Sequence, residues 1–155
     1  MIFYTVDLHI NQRFEITKQV PSITHRHIRS VISCFYYLEY AKLLLEGKDK
    51  FYAINALGDN LPDFFKTLDI KQREVEYFSR LLDDYITGLK EEDIQSTGYV
   101  LHTLEASIWR ILNTDNYSDA VLKAVNLGYD TDTTGAVTGV VAGLLYGYES
   151  ILQHG

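Results

Sequence analysis

The sequence has little sulfur chemistry and few long apolar runs. Its one cysteine, Cys34, excludes a disulfide framework within one chain and lies in the run VISCFYYLEY, where a buried, inert thiol is expected. The stretch AVTGVVAGLLYGY, residues 136–148, is shorter than the ~20 apolar residues that span a bilayer. The amino terminus also lacks the basic start and apolar core of a secretory signal, so a soluble cytoplasmic protein is expected.

Positive charge is also scarce. Fourteen Lys and Arg stand against 21 Asp and Glu, for a formal net charge of -7. Without a broad cationic surface, we expect no non-specific nucleic-acid binding and no attachment to an anionic membrane. By contrast, 46% of the 155 residues are hydrophobic, which is enough for one domain with a substantial core over residues 1–155.

Apolar positions recur at helical spacing through most of the chain, and no stretch alternates cleanly enough to force a strand. We therefore predict an all-α protein, a compact helical bundle with no internal repeat. The segment GDNLPDFF is predicted to be a turn. In the amphipathic segment over residues 71–85, Val75, Phe78, Leu81 and Leu82 are predicted to lie on one apolar side. Predicted helices cover residues 12–19 with Asn11 as the cap, 26–46 with a stop at Gly47, 51–57, 71–85, 99–112, 120–126 and 133–148.

Two aspartates and a threonine lie close together in NLGYDTDTTGAVTG, residues 126–139. In one interpretation Asp130, Asp132 and Thr133 cap the next helix and interact favourably with its positive end. In the other they are hard oxygen ligands of Mg²⁺, Mn²⁺ or Ca²⁺. These residues alone cannot complete a coordination shell, so a metal site would need ligands from elsewhere.

The last predicted helix carries a row of glycines four residues apart, and they therefore lie on one face. Such a row is typical of close helix packing, which we expect here in preference to direct ligand contact. The packing would fix the preceding aspartates against the core. The row consists of Gly135, Gly139, Gly143 and Gly147.

Two further segments place polar residues just before a helix. In SITHRHIRS, Ser22 or Thr24 is expected to cap the helix and His27 to be exposed, while His25 could hydrogen-bond a polar ligand. In STGYVLHTLEASIW, residues 96–109, the helix start is either a cap or a place where backbone donors meet an anion.

The second segment carries several candidates. Ser96 and Gly98 precede the helix, and Tyr99 could stack on a base or pack against the protein. His102 and Glu105 lie about one helical turn apart and are interpreted as a structural pair rather than an acid–base couple.

Three blocks in order resemble the ADP-ribosylglycohydrolase family, which consists of all-helical dinuclear-magnesium hydrolases that remove ADP-ribose from proteins or cleave related compounds. The resemblance runs from about Asn11 to Ile151. The blocks are SITHRHIRSVISCFYYLEYAKLLLEG, STGYVLHTLEASIWRILNTDNYSDAVLKAVNLG and YDTDTTGAVTGVVAGLLYG.

This resemblance implies roles for individual residues. It assigns ligands of a dinuclear Mg²⁺ site, with Mn²⁺ as the alternative, to Asp130, Asp132 and Thr133. It also assigns contacts with ADP-ribose to the Thr-His pair and the Ser-x-Gly-Tyr block. These contacts fall on His25, Tyr99, Ser96 and Gly98. The expected chemistry is metal-assisted hydrolysis at the anomeric carbon of ribose.

The family's Thr-Asp-Asp cluster and its acidic catalytic residue have no counterpart here, so the chain resembles the carboxyl-terminal half of such an enzyme. The resemblance leaves the catalytic residues unassigned. A half inactive alone is therefore expected, with ADP-ribose or an ADP-ribosylated protein as ligand. Its exposed apolar faces would favour self-association or a complementing amino-terminal half. The alternative is a non-catalytic module that binds ADP-ribose or a nucleotide.

Overall fold

A computed structural model describes residues 7–19, 27–83, 85–95, 97–126 and 131–147. Within these ranges the chain forms helices and turns and no strand, which confirms the all-α prediction. We label the α-helices α1 (Ile10–Gln19), α2 (Ile28–Leu45), α3 (Lys50–Thr67), α4 (Gln72–Glu76), α5 (Ser79–Leu82), α6 (Val100–Leu112), α7 (Tyr117–Val125) and α8 (Thr131–Tyr146). Short 3-10 helices cover Tyr85–Gly88 and Glu91–Asp93.

Helix α6 occupies the centre of the bundle. It contacts α2, α3, α7 and α8, and its residues are buried except at its first position and at His102. Phe35 and Tyr40 of α2 belong to the same hydrophobic core, and neither is exposed to solvent. Because this central helix begins immediately after Tyr99, its packing sets the position of the second predicted ligand-binding segment.

The predicted turn GDNLPDFF is wrong, because α3 runs without interruption through Gly58 and Pro62. Gly58 has a packing role: an added Cβ would lie 2.3 Å from the Leu82 carbonyl oxygen of α5. Leu61 and Phe65 continue the buried face beyond the proline. Tertiary packing therefore outweighs the local helix-breaking tendency of these two residues.

The predicted helix over residues 71–85 is divided into α4, α5 and a 3-10 helix. Its four predicted apolar positions are nevertheless buried. Two hydrogen bonds here are of the i→i+3 type: the Phe78 N–H donates to the Val75 carbonyl oxygen, and the Leu81 N–H donates to the Phe78 carbonyl oxygen. They tighten the backbone as in a 3-10 helix and turn these side chains toward the core. The buried positions are Val75, Phe78, Leu81 and Leu82.

Two predicted helix caps are also wrong. Asn11 lies inside α1, which begins at Ile10, and its N–H donates to Nδ1 of His9 at 3.4 Å. At α2 the cap is His27, which is exposed as predicted and whose Nδ1 accepts the N–H of Arg29 at 3.2 Å. A histidine ring here does what a serine or threonine was expected to do.

The remaining helix ends lie close to their predicted positions. Helix α2 ends before Gly47, which adopts a positive φ of 81° as expected for a glycine stop. Helix α7 begins three residues earlier than predicted, because the side chain of Asn116 accepts the N–H of Asp119 at 2.9 Å.

Close packing of α7 against α8 confirms the expected role of the glycine row at two of its positions. A Cβ added at Gly135 would lie 3.0 Å from Cγ2 of Val125. One added at Gly139 would lie 3.6 Å from the Tyr117 hydroxyl. Helix α8 is also tied to α2, because the Tyr37 hydroxyl donates to the Val137 carbonyl at 2.9 Å.

Among the described helices, none is both long enough and apolar enough to cross a lipid bilayer.

Candidate functional site

The starts of α2 and α6 meet at one surface cavity of about 250 Å³. This cavity brings together the two polar segments that the sequence placed before helices. Two of the predicted ligand-binding residues, Gly98 and Tyr99, therefore lie beside the carboxyl-terminal end of the SITHRHIRS segment, residues 22–30. The lining residues are His27, Arg29, Ser30, Gly98, Tyr99 and Val100.

Tyr99 is held in place from the side of α6. The Thr97 hydroxyl accepts the Tyr99 N–H at 3.1 Å and lies 2.8 Å from Nδ1 of His102. The ring of His102 meets the Tyr99 ring edge to face, with centroids 5.0 Å apart. Tyr99 remains 37% exposed, so its ring is anchored yet accessible to a ligand.

Arg29 contacts the hydroxyl end of Tyr99. Its Nη1 donates to the Tyr99 hydroxyl at 3.4 Å, and its Nε donates to Oε2 of Glu74 at 2.7 Å. The guanidinium carbon lies 3.7 Å from the centroid of the Tyr77 ring, which is a stacking contact. The bond from Arg29 lowers the pKa of Glu74, so the pair is ionised at neutral pH.

Asp132 and Thr133 lie in the first turn of α8, and both are exposed. In this position a carboxylate interacts favourably with the positive end of the helix. Their exposure also leaves them accessible to a cation. Neither residue lines the cavity beside Tyr99.

As metal ligands, Asp132 and Thr133 fit only part of a site. A carboxylate and a hydroxyl are donors that Mg²⁺ accepts, and α8 is anchored through Gly135 and Val137. Over the ranges that the structure covers, no group of three or more His, Cys, Asp and Glu side chains could hold a metal ion. The described residues by themselves therefore do not make up a complete metal site.

Three predicted site residues, His25, Ser96 and Asp130, lie outside the described residues. Their assigned roles remain predictions. Sequence reasoning missed Arg29 together with Glu74 and Tyr77, both of which Arg29 contacts from a distant part of the chain. Only Arg29 lay in a segment already singled out, as the fourth residue after the predicted ligand-binding histidine.

The predicted pair of His102 and Glu105 is wrong. His102 contacts Thr97, whereas Oε2 of Glu105 lies 3.5 Å from a guanidinium nitrogen of Arg80. Burial lowers the pKa of His102 and raises the pKa of Glu105. Both side chains line a separate cavity of about 310 Å³.

Cys34 is half-buried rather than fully buried. It borders a small apolar cleft between α2, α6 and α8, of about 130 Å³. Burial raises the pKa of the thiol, so little thiolate is present at neutral pH. This result agrees with the expectation of an inert cysteine.

A family model described as ADP-ribosylglycohydrolase matches residues 1–154. The chain belongs to this family. The match covers nearly all 155 residues and includes both segments that meet beside Tyr99. The family membership and the all-helical architecture expected from the resemblance are thereby confirmed.

Three curated relatives are similar to parts of this chain. An ADP-ribosylarginine hydrolase of Serratia proteamaculans (strain 568) is 55% identical over 62 residues, which are 40% of this chain and 17% of that protein. An ADP-ribosylarginine hydrolase of Pseudomonas putida (strain GB-1) is 33% identical over 126 residues, which are 81% of this chain and 30% of that protein. The ADP-ribosyl-dinitrogen reductase glycohydrolase of Rhodospirillum rubrum is 37% identical over 57 residues, 37% of this chain and 19% of that protein. The chain thus spans less than a third of the length of each relative.

Proposed function

We propose that this chain supplies the ADP-ribose-binding surface and one side of the metal site of an enzyme that hydrolyses the bond between ADP-ribose and a protein side chain. The observation that carries the proposal is the convergence of the His27 and Gly98–Tyr99 segments on one cavity. The family match and the names of the relatives support the same reaction class.

The residues of the chain have distinct tasks in this proposal. The exposed Tyr99 ring offers a stacking face to the ligand, and the backbone at Gly98 allows close approach. Asp132 and Thr133, with Asp130, would hold Mg²⁺ or Mn²⁺ from one side. When bound, the ions would position ribose hydroxyls and activate water.

Catalysis needs further groups in this proposal. The family's Thr-Asp-Asp cluster has no counterpart in this chain, so the 155 residues alone would bind ADP-ribose without turnover. A complementing polypeptide that carries such a cluster would restore hydrolysis. Self-association through apolar surface would be an alternative way to cover the incomplete site.

Calorimetry with ADP-ribose, with and without Mg²⁺, tests the proposal together with an assay for ADP-ribose released from an ADP-ribosylated protein. We expect binding that Mg²⁺ strengthens, and no turnover by the chain alone. Replacing Asp132 by Asn should remove the Mg²⁺ dependence. The matched control is Asp119→Asn, because Asp119 is also exposed in the first turn of a helix.

Two results would contradict this proposal. Robust turnover by the isolated chain would show that it is not an inactive half. Absence of any ADP-ribose binding would remove the ligand-binding role. Addition of the family region that carries the Thr-Asp-Asp cluster separates a split enzyme from a non-catalytic module, because only the enzyme would gain turnover.

A further inference from the structure

Arg29 forms the wall between two surface cavities. One is the cavity of about 250 Å³ beside Tyr99, and the other, of about 470 Å³, is lined by Arg29, Arg73, Glu74, Glu76 and Tyr77. The Arg29 side chain is 24% exposed and Glu74 12% exposed, so their ion pair is largely shielded. Three distant parts of the chain are joined here by a single side chain.

The contacts of Arg29 fix the orientation of its guanidinium group. Stacking on Tyr77 sets the plane, and the bond from Nε to Glu74 sets the rotation within that plane. With both fixed, Nη1 points at the Tyr99 hydroxyl. A lysine cannot reproduce this arrangement, because an ammonium group lacks the planar fork.

Direct capture of a phosphate is a less suitable role for Arg29. Its charge is already balanced by Glu74, and Glu76 lines the same larger cavity. An anion approaching this side would meet two carboxylates as well as the guanidinium groups of Arg29 and Arg73, so the cavity lining carries no formal net positive charge. The geometry therefore favours an action on Tyr99 over an action on the ligand.

We propose that Arg29 is a positioning residue that holds the Tyr99 ring for the bound ADP-ribose. This role rests on the proposed function of the cavity. Thr97 and His102 fix the backbone and one edge of Tyr99, and Arg29 fixes its hydroxyl end. The ring is thus oriented before the ligand arrives, which reduces the ordering cost of binding.

Fluorine NMR of the protein labelled with 3-fluorotyrosine measures the position of the Tyr99 ring without any ligand. Loss of one resonance in Tyr99→Phe assigns the signal. We expect that signal to move by more than its linewidth in Arg29→Gln and in Arg29→Lys. Arg29→Lys keeps the positive charge beside Glu74, so a shift of the signal in this variant cannot be explained simply by unfolding of the protein. Arg13→Gln is the matched control and should leave the signal in place, because Arg13 also forms a partly buried ion pair with a glutamate, but its partner is Glu39 rather than Glu74.

Calorimetry with ADP-ribose then tests the consequence for binding. Loss of one hydrogen bond predicts an affinity about three- to tenfold lower for Arg29→Gln. Tyr99→Phe should show a similar loss, and the double variant should be no weaker than either single variant, because both remove the same contact. Losses that multiply in the double variant would mean that Arg29 acts on the ligand itself and would overturn the proposal.

Other outcomes separate this role from the proposed function. A Tyr99 resonance that stays in place in both Arg29 variants overturns the positioning role. Normal binding by the wild-type protein with no loss in Arg29→Gln also contradicts only that role. Absence of ADP-ribose binding by the wild-type protein contradicts the proposed function, and the ligand-positioning role fails with it.

Discussion

Glu105 is a buried carboxylate whose environment disfavours its charge. The residue is 5% exposed, and burial raises its pKa although Arg80 lies 3.5 Å away and acts in the opposite direction. The folded state therefore binds the proton more tightly than the unfolded chain. The resulting contribution to stability is fully present below the unfolded pKa of ~4.3 and is lost as the pH rises through the higher folded pKa.

We predict that Glu105→Gln raises the melting temperature at pH 7 and gives little gain near pH 4. Glutamine keeps the shape and removes the charge that burial opposes. Thermal unfolding at both pH values measures the effect. Glu92→Gln is the control, since the Glu92 side chain is 77% exposed. A lower melting temperature for Glu105→Gln at pH 7 would show instead that the contact with Arg80 outweighs burial.

Single residues also show where sequence reasoning stops. The sequence pattern placed Tyr99 next to a helix start, because a polar segment followed by helical periodicity is a local signal. Arg29 reaches Tyr99 across 70 positions and Glu74 across 45. No spacing rule connects residues so far apart, so their contact required the folded structure.

At the scale of elements, the contact between α3 and α5 depends on the absence of a side chain. A Cβ at Gly58 would overlap the Leu82 carbonyl oxygen at 2.3 Å, and backbone atoms there cannot turn aside as a side chain can. The overlap costs about 1–3 kcal/mol, and alanine recovers about 1 kcal/mol of this through its higher helix propensity. We therefore predict that Gly58→Ala destabilises the protein by up to about 2 kcal/mol.

Urea unfolding of Gly58→Ala measures this loss, and Gly88→Ala is the matched control. A Cβ at Gly88 would have no atom within 4 Å, and no positive φ requires glycine there. The control should therefore stay close to the wild-type stability. Equal stability of the two variants would show that α3 and α5 separate easily, contrary to the packing described.

Helices α2, α6 and α8 could be predicted well because their apolar periodicity agrees with their tertiary packing, and Gly47 marks the end of α2. Helix α3 could not, since Gly58 and Pro62 carry local signals for a turn. The segment 71–85 is a third case. Its buried residues were predicted correctly, but its division into short helices was not. The i→i+3 hydrogen bonds that divide it leave the spacing of the apolar residues nearly unchanged, so the sequence pattern does not reveal them.

At the scale of the whole molecule, the central position of α6 predicts an uneven distribution of stability. Its backbone hydrogen bonds are enclosed by α2, α3, α7 and α8. We predict that the amides of α6 exchange with solvent deuterium more slowly than those of any other described segment. Amides of Glu91–Asp93, which are exposed, should exchange fastest among the helical segments.

Hydrogen exchange followed by mass spectrometry checks this prediction. The free energy of opening measured for the α6 amides should approach the global free energy of unfolding. Early exchange of α6 would show that the bundle opens at its centre. The same experiment with Mg²⁺ and ADP-ribose would map whether protection spreads to the start of α6 at Tyr99. Such a change would be independent support for the ligand-binding role of this helix start.

The sequence contains one tryptophan, Trp109, and the structure places it within α6. It is 6% exposed, and its indole N–H donates to the Leu89 carbonyl at 2.9 Å. The intrinsic fluorescence of the protein at long excitation wavelengths therefore comes from a single site at the centre of the bundle. Its emission maximum should shift to the red only when the core opens, so the native chain carries its own optical reporter of folding.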